Sequence, residues 1–83
     1  MHKSKRKWLC LDCGDHTKFE HYFLKNDVWM GEAKMGEIGM LCIACVEKRI
    51  GRILQPVDFT DAYINDPKKN MMSDRLRSRI LGI

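Results

Sequence analysis

The 83-residue chain has no apolar run that approaches the roughly 20 residues needed to cross a bilayer. Basic side chains lie in residues 1–7, but the apolar stretch that follows them in a secretory signal peptide is missing. Aromatic residues make up only 8% of the chain, which limits the hydrophobic core to a thin layer. These absences predict a soluble, cytoplasmic protein whose small core needs a further source of stability.

What the chain does contain is four cysteines in two Cys-x-x-Cys pairs, Cys10 with Cys13 and Cys42 with Cys45. A two-residue spacer lets both sulfurs of a pair face one point, so two pairs can surround one tetrahedral Zn²⁺. Four thiolates leave no open coordination position, which predicts one structural zinc ion rather than a catalytic one. Without the metal we expect little stable structure.

Two other interpretations of the cysteines stay open at this point. Two disulfides are typical of a small secreted protein, and the missing signal sequence argues against them. A thioredoxin-like redox site needs one Cys-x-x-Cys pair at a strand-to-helix junction of a βαβ domain. The chain has two such pairs and is too short for that fold, so zinc is the favoured interpretation.

Turn residues and apolar spacing predict a small α+β domain stapled by zinc. Residues 10–14 fit a zinc knuckle in which the final glycine takes a positive φ. Residues 19–24 predict a strand of a short β-hairpin, and residues 28–34 a short helix. Residues 42–50 have the strongest helical pattern, so a helix is expected to begin at the second cysteine pair and to end at Gly51.

A basic amphipathic helix is predicted within residues 68–83, with Ser73 as its N-cap. Such a helix of about ten residues is marginal alone, so its apolar seam has to dock on the zinc module, on a second copy or on a host protein. The predicted organisation is a flexible basic arm at 1–7, a zinc-binding module at 8–67 and this helix at 68–83. The seam consists of Met72, Leu76, Ile80 and Ile83.

The net charge of +4 is unevenly distributed along the chain. Residues 1–7 and residues 68–83 each carry +4, whereas residues 8–67 carry −4 before any metal is counted. Basic side chains on terminal segments neutralise phosphates with little sequence readout, which predicts DNA or RNA binding by the ends. The competing interpretation is that they only keep the protein soluble. The candidate contacts are Lys3, Lys5, Arg6, Lys7, Arg75, Arg77 and Arg79.

A knuckle, an excursion of 28 residues and a second pair that opens a helix are the ingredients of a treble-clef finger. Three segments around this frame are YFLKNDVW (22–29), GMLCIACVEKRIGR (39–52) and DFTDA (58–62). In these segments the chain resembles small zinc-binding proteins of unknown function encoded by bacteriophages and bacterial mobile elements. This resemblance implies a treble-clef-like fold and a phage or prophage origin, and it implies no established activity.

The segment LCIAC (41–45) with Lys48 also resembles the zinc frame of HNH nucleases. Such a nuclease needs a histidine to activate water and further His or Asn ligands for a divalent metal. His16 and His21 are the only histidines beyond residue 2, and neither stands where this chemistry needs one. A nuclease is therefore kept only as a remote alternative.

Together these features predict a non-enzymatic, zinc-stabilised binding module that contacts nucleic acid through its basic ends. The alternative is a protein-interaction adaptor or an inhibitor of a host protein, with a homodimer formed through the apolar seam as one form of it. Large side chains are scarce, so most aromatic rings are expected in the core rather than on bases. Those assigned to the core are Trp8, Tyr22, Phe23, Trp29 and Phe59.

Overall fold

The computed structural model describes residues 9–36 and 39–83, so the predicted arm at 1–7 lies outside the described part. Within these ranges no helix is long and apolar enough to span a membrane. The β-pairing found there is limited to three isolated bridges. The helical elements are a π-helical turn Asp27–Glu32, helix α1 Ile43–Ile50, helix α2 Asp74–Leu81, and 3₁₀ turns Pro56–Asp58 and Tyr63–Asn65.

Helix α1 begins at the second cysteine pair, as predicted. Cys42 is its N-cap residue, with an extended backbone at φ −71° and ψ 165°, and Gly51 ends the helix at φ 75°. Glycine suits that end because it has no Cβ to clash at positive φ. Ile43 and Val46 are fully buried. The helix that carries two cysteines therefore also forms the centre of the core.

The core is built around a buried aromatic pair. The rings of Tyr22 and Phe59 meet edge to face, with centroids 6.2 Å apart. The Tyr22 hydroxyl donates to the carbonyl oxygen of Leu41 at 2.7 Å, so the buried phenol is not left without a partner. The almost fully buried apolar side chains are Leu41, Ile43, Val46, Leu54 and Leu76.

The strand predicted over residues 19–24 is wrong, and the predicted hairpin and treble clef are not confirmed. The segment pairs only at Leu24, which forms an isolated antiparallel bridge with Phe59. At Phe23, the side chain of Asn65 accepts from the amide at 3.0 Å and donates to the carbonyl at 2.8 Å. A side chain thus occupies backbone groups that a neighbouring strand would have used.

The short helix predicted over residues 28–34 is present as the π-helical turn Asp27–Glu32. The Ala33 amide donates to the carbonyl oxygen of Val28, five residues earlier. This five-residue spacing defines a π-helix. Val28 and Ala33 are buried. These two side chains turn one side of the element towards the core.

Helix α2 packs against the zinc-binding part of the chain. Ser73 caps it, since its hydroxyl accepts from the amide of Leu76 at 3.1 Å. Leu76 is fully buried, and Met72 and Ile80 pack against the core, whereas Ile83 is 84% exposed. Of the three surfaces considered for the apolar seam, the chain's own core is the one that α2 covers.

Candidate metal centre

The four cysteine sulfurs converge on one point. The Sγ atoms of Cys10, Cys13, Cys42 and Cys45 all lie within 4.8 Å of one another. Those of Cys13 and Cys42 are 3.8 Å apart. A tetrahedral zinc ion with Zn–S bonds of about 2.3 Å places its sulfurs about 3.8 Å from each other. The cluster therefore has the dimensions of a single four-thiolate zinc site, as the sequence predicts.

The same geometry argues against disulfides. All four cysteines are free thiols. A disulfide joins its sulfurs at about 2.05 Å, and the 3.8 Å between the sulfurs of Cys13 and Cys42 is far longer. Four sulfurs within mutual reach form one metal site, whereas two separate bridges would bring them together only in pairs.

The first cysteine pair is held in a closed turn. The Gly14 amide donates to the carbonyl oxygen of Cys10 at 2.9 Å, and the Cys10 amide donates to that of Asp15 at 2.8 Å. Gly14 has the predicted positive φ, 81°, a conformation that a side chain would strain. The knuckle predicted for residues 10–14 is therefore confirmed.

Backbone contacts bring the knuckle against the second pair. The Leu11 amide donates to the carbonyl oxygen of Met40 at 2.9 Å, and Cys10 and Met40 form a parallel bridge. Gly39 has φ 109°, and a Cβ built on it would lie 2.6 Å from Cδ1 of Leu11. The absence of a side chain at Gly39 thus lets the chain that enters the second pair lie close to the knuckle.

The thiols differ in their readiness to lose a proton. Burial acts to raise the pKa of Cys10, but backbone N–H groups of Cys42, Cys13 and Asp12 outweigh it and lower that pKa to about 6. Burial, followed by the neighbouring sulfurs, raises the pKa of Cys45. Near neutral pH one sulfur is ready to bind as a thiolate, while the metal has to displace a proton from another.

A carboxylate next to the metal centre connects α1 with α2. Glu20 accepts from the amide of Ile43, the first residue of α1, at 2.9 Å, and from the Ser73 hydroxyl at 2.7 Å. Arg75 adds two hydrogen bonds, of 2.8 and 2.9 Å. Glu20 is only 7% exposed. It therefore satisfies an unpaired amide of the helix that begins at Cys42 and holds the start of α2 against it.

A second carboxylate holds the other end of α2. Glu47 accepts from Nε of Arg79 at 2.6 Å and from its Nη2 at 3.2 Å, and it also accepts from the Leu54 amide at 2.8 Å. Arg75 and Arg79, both predicted to contact nucleic acid, therefore face carboxylates of the same chain. Arg77 lies between them in sequence, is exposed, and has no ion pair with residues 9–36 or 39–83.

Two exposed lysines precede Arg77 in the C-terminal segment. Lys68 and Arg77 line one cavity of about 490 Å³ together with Asp66, Pro67 and Leu81. Lys69, the next residue, is also exposed. The charge of residues 68–83 includes both lysines and was the signal that could have singled them out. The predicted contacts Lys3, Lys5, Arg6 and Lys7 lie outside the described residues.

The expected burial of the aromatic side chains holds for Tyr22 and Phe59 but is wrong for Phe23, which is 60% exposed. Its two neighbours in the chain, Tyr22 and Leu24, are the side chains that are buried. Trp29 is half-buried, and its Nε1 donates to the carbonyl oxygen of Gly36 at 3.0 Å. Trp8 lies outside the described residues.

Comparison with protein-family models, with curated proteins and with solved structures gives no match for this chain. The resemblances to phage-encoded zinc proteins and to HNH nucleases therefore stay predictions. The geometry supports a coarser conclusion: residues 9–36 and 39–83 form a small domain with two α-helices and one π-helical turn, little strand, and one four-cysteine zinc site.

Proposed function

We propose that this chain is a non-enzymatic, zinc-stabilised module that binds nucleic acid through basic residues near its two ends. The metal centre supports a structural role, because four thiolates complete a tetrahedron and leave no position for water or substrate. The charge distribution supports the partner. Residues 1–7 and 68–83 each carry +4 beside a middle part of −4, and clustered Lys and Arg residues bind phosphates by releasing counterions.

The proposal depends on the different contacts that the three arginines of α2 make. Arg75 and Arg79 form ion pairs with carboxylates of the zinc-binding part, and they serve to dock the helix. Arg77 is exposed and shares a cavity with Lys68, and Lys69 follows directly in the chain. At this end of the protein we therefore assign the phosphate contacts to Lys68, Lys69 and Arg77. Two of the three arginines predicted from sequence are not needed for them.

A salt series tests the proposal with the intact, zinc-loaded chain and a short labelled duplex. For B-DNA the logarithm of affinity falls with the logarithm of salt, with a slope of about −0.9 for each phosphate contact. The Lys68→Ala/Arg77→Ala variant should bind more weakly. Its slope should be less steep by the amount that about two phosphate contacts contribute. A variant with alanine at the four basic positions of residues 1–7 should have a larger effect of the same kind.

Lys25→Ala/Lys48→Ala is the matched control, because it removes two positive charges from exposed lysines outside both basic ends. It should leave most of the affinity and the slope in place. No binding at low salt to the duplex or to its separated strands, or an equal loss in the control, would contradict the proposed function.

A protein partner is the second candidate, because two apolar side chains within the last three residues of the chain remain exposed. Leu81 is 50% and Ile83 is 84% exposed, whereas Leu76, earlier in α2, is buried. A host protein or a second copy would therefore contact Leu81 and Ile83 instead of the whole seam. Sedimentation of the intact chain and of Ile83→Asp over a concentration series tests self-association. A monomer at every concentration contradicts it.

A further inference from the structure

We infer that the nucleic acid bound by this chain is single-stranded, and that the rings of Phe23 and Tyr63 stack on its bases. Lys68, Lys69 and Arg77 take the neighbouring phosphates. This inference rests on the proposed function and names the class of nucleic acid that is bound.

Phe23 and Tyr63 are exposed, although the chain has few aromatic residues with which to build its core. Their exposed fractions are 60% and 67%, while Tyr22 and Phe59 are buried. Leaving a large ring in water forgoes the free energy of burying its apolar surface. Single exposed apolar residues are common on protein surfaces, so the inference depends on what holds these two rings in place.

Asn65 joins the backbone segments that carry them. Its side chain is bonded to both the amide and the carbonyl of Phe23, at 3.0 and 2.8 Å, and it donates to the carbonyl oxygen of Thr60 at 3.0 Å. Asn65 is itself only 5% exposed and ends the 3₁₀ turn that Tyr63 begins. A buried, well-bonded side chain thus holds the Phe23 backbone against the turn of Tyr63.

The same loop carries the basic residues. The side-chain amide of Asn70 donates to the carbonyl oxygen of Tyr63 at 2.7 Å, which closes a turn that contains Lys68 and Lys69. Lys68 in turn shares its cavity with Arg77 of α2. One hydrogen-bonded loop therefore connects the exposed rings with cations whose side chains form no ion pair within residues 9–36 and 39–83.

This combination suits a single strand better than a duplex. In a duplex the bases stack on each other, whereas a single strand offers free base faces to aromatic side chains. Each stacked base is worth roughly a five- to hundred-fold change in affinity. Stacking does not distinguish base identity, so we expect a preference for single strands without a preference for sequence. DNA and RNA strands share this chemistry, and both belong in the test.

The experiment compares binding of the intact, zinc-loaded chain to oligo(dT), oligo(rU) and a duplex of the same length by fluorescence anisotropy. Phe23→Leu and Tyr63→Leu each remove a ring and keep apolar bulk. Each should weaken binding to single strands by about five-fold or more and leave duplex binding unchanged. Phe19→Leu is the matched control, since Phe19 is a 46% exposed ring that Asn65 does not hold. It should have no comparable effect.

The possible outcomes separate this inference from the proposed function. Unchanged single-strand binding in both ring variants, together with a loss in Lys68→Ala/Arg77→Ala, overturns the inference and leaves the proposed function in place. No effect in either set overturns both. Tighter binding of the native chain to duplex than to single strands also overturns the inference.

A second measurement does not depend on the folding of any variant. Ultraviolet cross-linking of the native chain to oligo(rU), followed by peptide mass spectrometry, should place the cross-links at Phe23 and Tyr63. Cross-links confined to other residues overturn the inference.

Discussion

Arg75 forms a two-point ion pair with Glu20, in which its Nε lies 2.9 Å from Oε2 and its Nη2 lies 2.8 Å from Oε1. The same carboxylate accepts from the amide of Ile43, the first residue of α1. One buried group thereby connects the basic helix α2 to the helix that carries two cysteines of the metal centre. Docking of α2 and formation of the zinc site should therefore stabilise each other.

Replacing Glu20 with glutamine should lower the free energy of unfolding by about 1–3 kcal/mol. Glutamine keeps the size of the side chain but removes the charge that Arg75 faces and turns one acceptor into a donor. Urea unfolding of the zinc-loaded protein, followed by circular dichroism, measures the change. Asp61→Asn removes a charge from an exposed side chain and should change the free energy by no more than about 0.5 kcal/mol. Equal losses in both variants would show that only net charge matters.

The Glu20 contact also predicts a pH dependence. Burial acts to raise the pKa of Glu20, but hydrogen bonds from Arg75, Ile43 and Ser73 outweigh it and lower the pKa. The unfolded chain, with a pKa of about 4.3, then takes up the proton more readily than the folded chain. The stabilisation is fully present above the unfolded pKa and is lost as pH falls through the lower folded value.

The difference in unfolding free energy between the native chain and Glu20→Gln follows this contribution directly. Measured with excess zinc, it should stay constant from neutral pH down to about pH 5 and shrink below that. A difference that grows on acidification would contradict the lowered pKa.

Leu76→Ala should reduce the free energy of unfolding by about 2–5 kcal/mol, because it removes buried apolar atoms and leaves a cavity. The Leu76 side chain is fully buried, whereas Leu81 on the same helix is 50% exposed. Leu81→Ala is therefore the matched control, with an expected change of less than about 1 kcal/mol. If thermal or urea unfolding gives the same change for both, α2 is not docked on the core.

Removal of the metal should abolish the folded state. The native chain should bind one zinc ion, measured by elemental analysis, and should lose its cooperative thermal transition when a strong chelator is added. Cys42→Ser and Cys10→Ser should behave like the chelated protein. A cooperative transition that survives chelation in either variant contradicts a fold stabilised by zinc.

Zinc affinity should rise with pH. Without metal the chain is unfolded and its thiols have an ordinary pKa of about 8.5, so at neutral pH they hold protons that zinc must displace. Lower proton concentration favours this exchange. A competition titration with a chromophoric chelator should give a logarithm of affinity that steepens on acidification, and a flat profile contradicts it.

The sequence was informative wherever the signal lies within a few neighbouring residues. The two-residue spacers set the sulfurs of each pair at chelating distance, and Gly14 and Gly51 stand at positive φ, where a turn and a helix end need them. Ser73 caps α2 through a bond to an amide three residues later. Each of these features depends on local backbone geometry, so residue type and spacing were sufficient to predict it.

The assembled fold decided the rest, because contacts between distant residues depend on which surfaces meet. The side chain of Asn65 bonds to the backbone of Phe23, 42 residues away in the chain, where a neighbouring strand was expected. No local sequence pattern predicts such a bond. Arg75 meets Glu20 across 55 residues, so a side chain that sequence reasoning assigned to phosphate serves to dock a helix. Sequence by itself determined the zinc ligands and the two α-helices. Only tertiary structure decided which charges are paired internally and which remain for a partner.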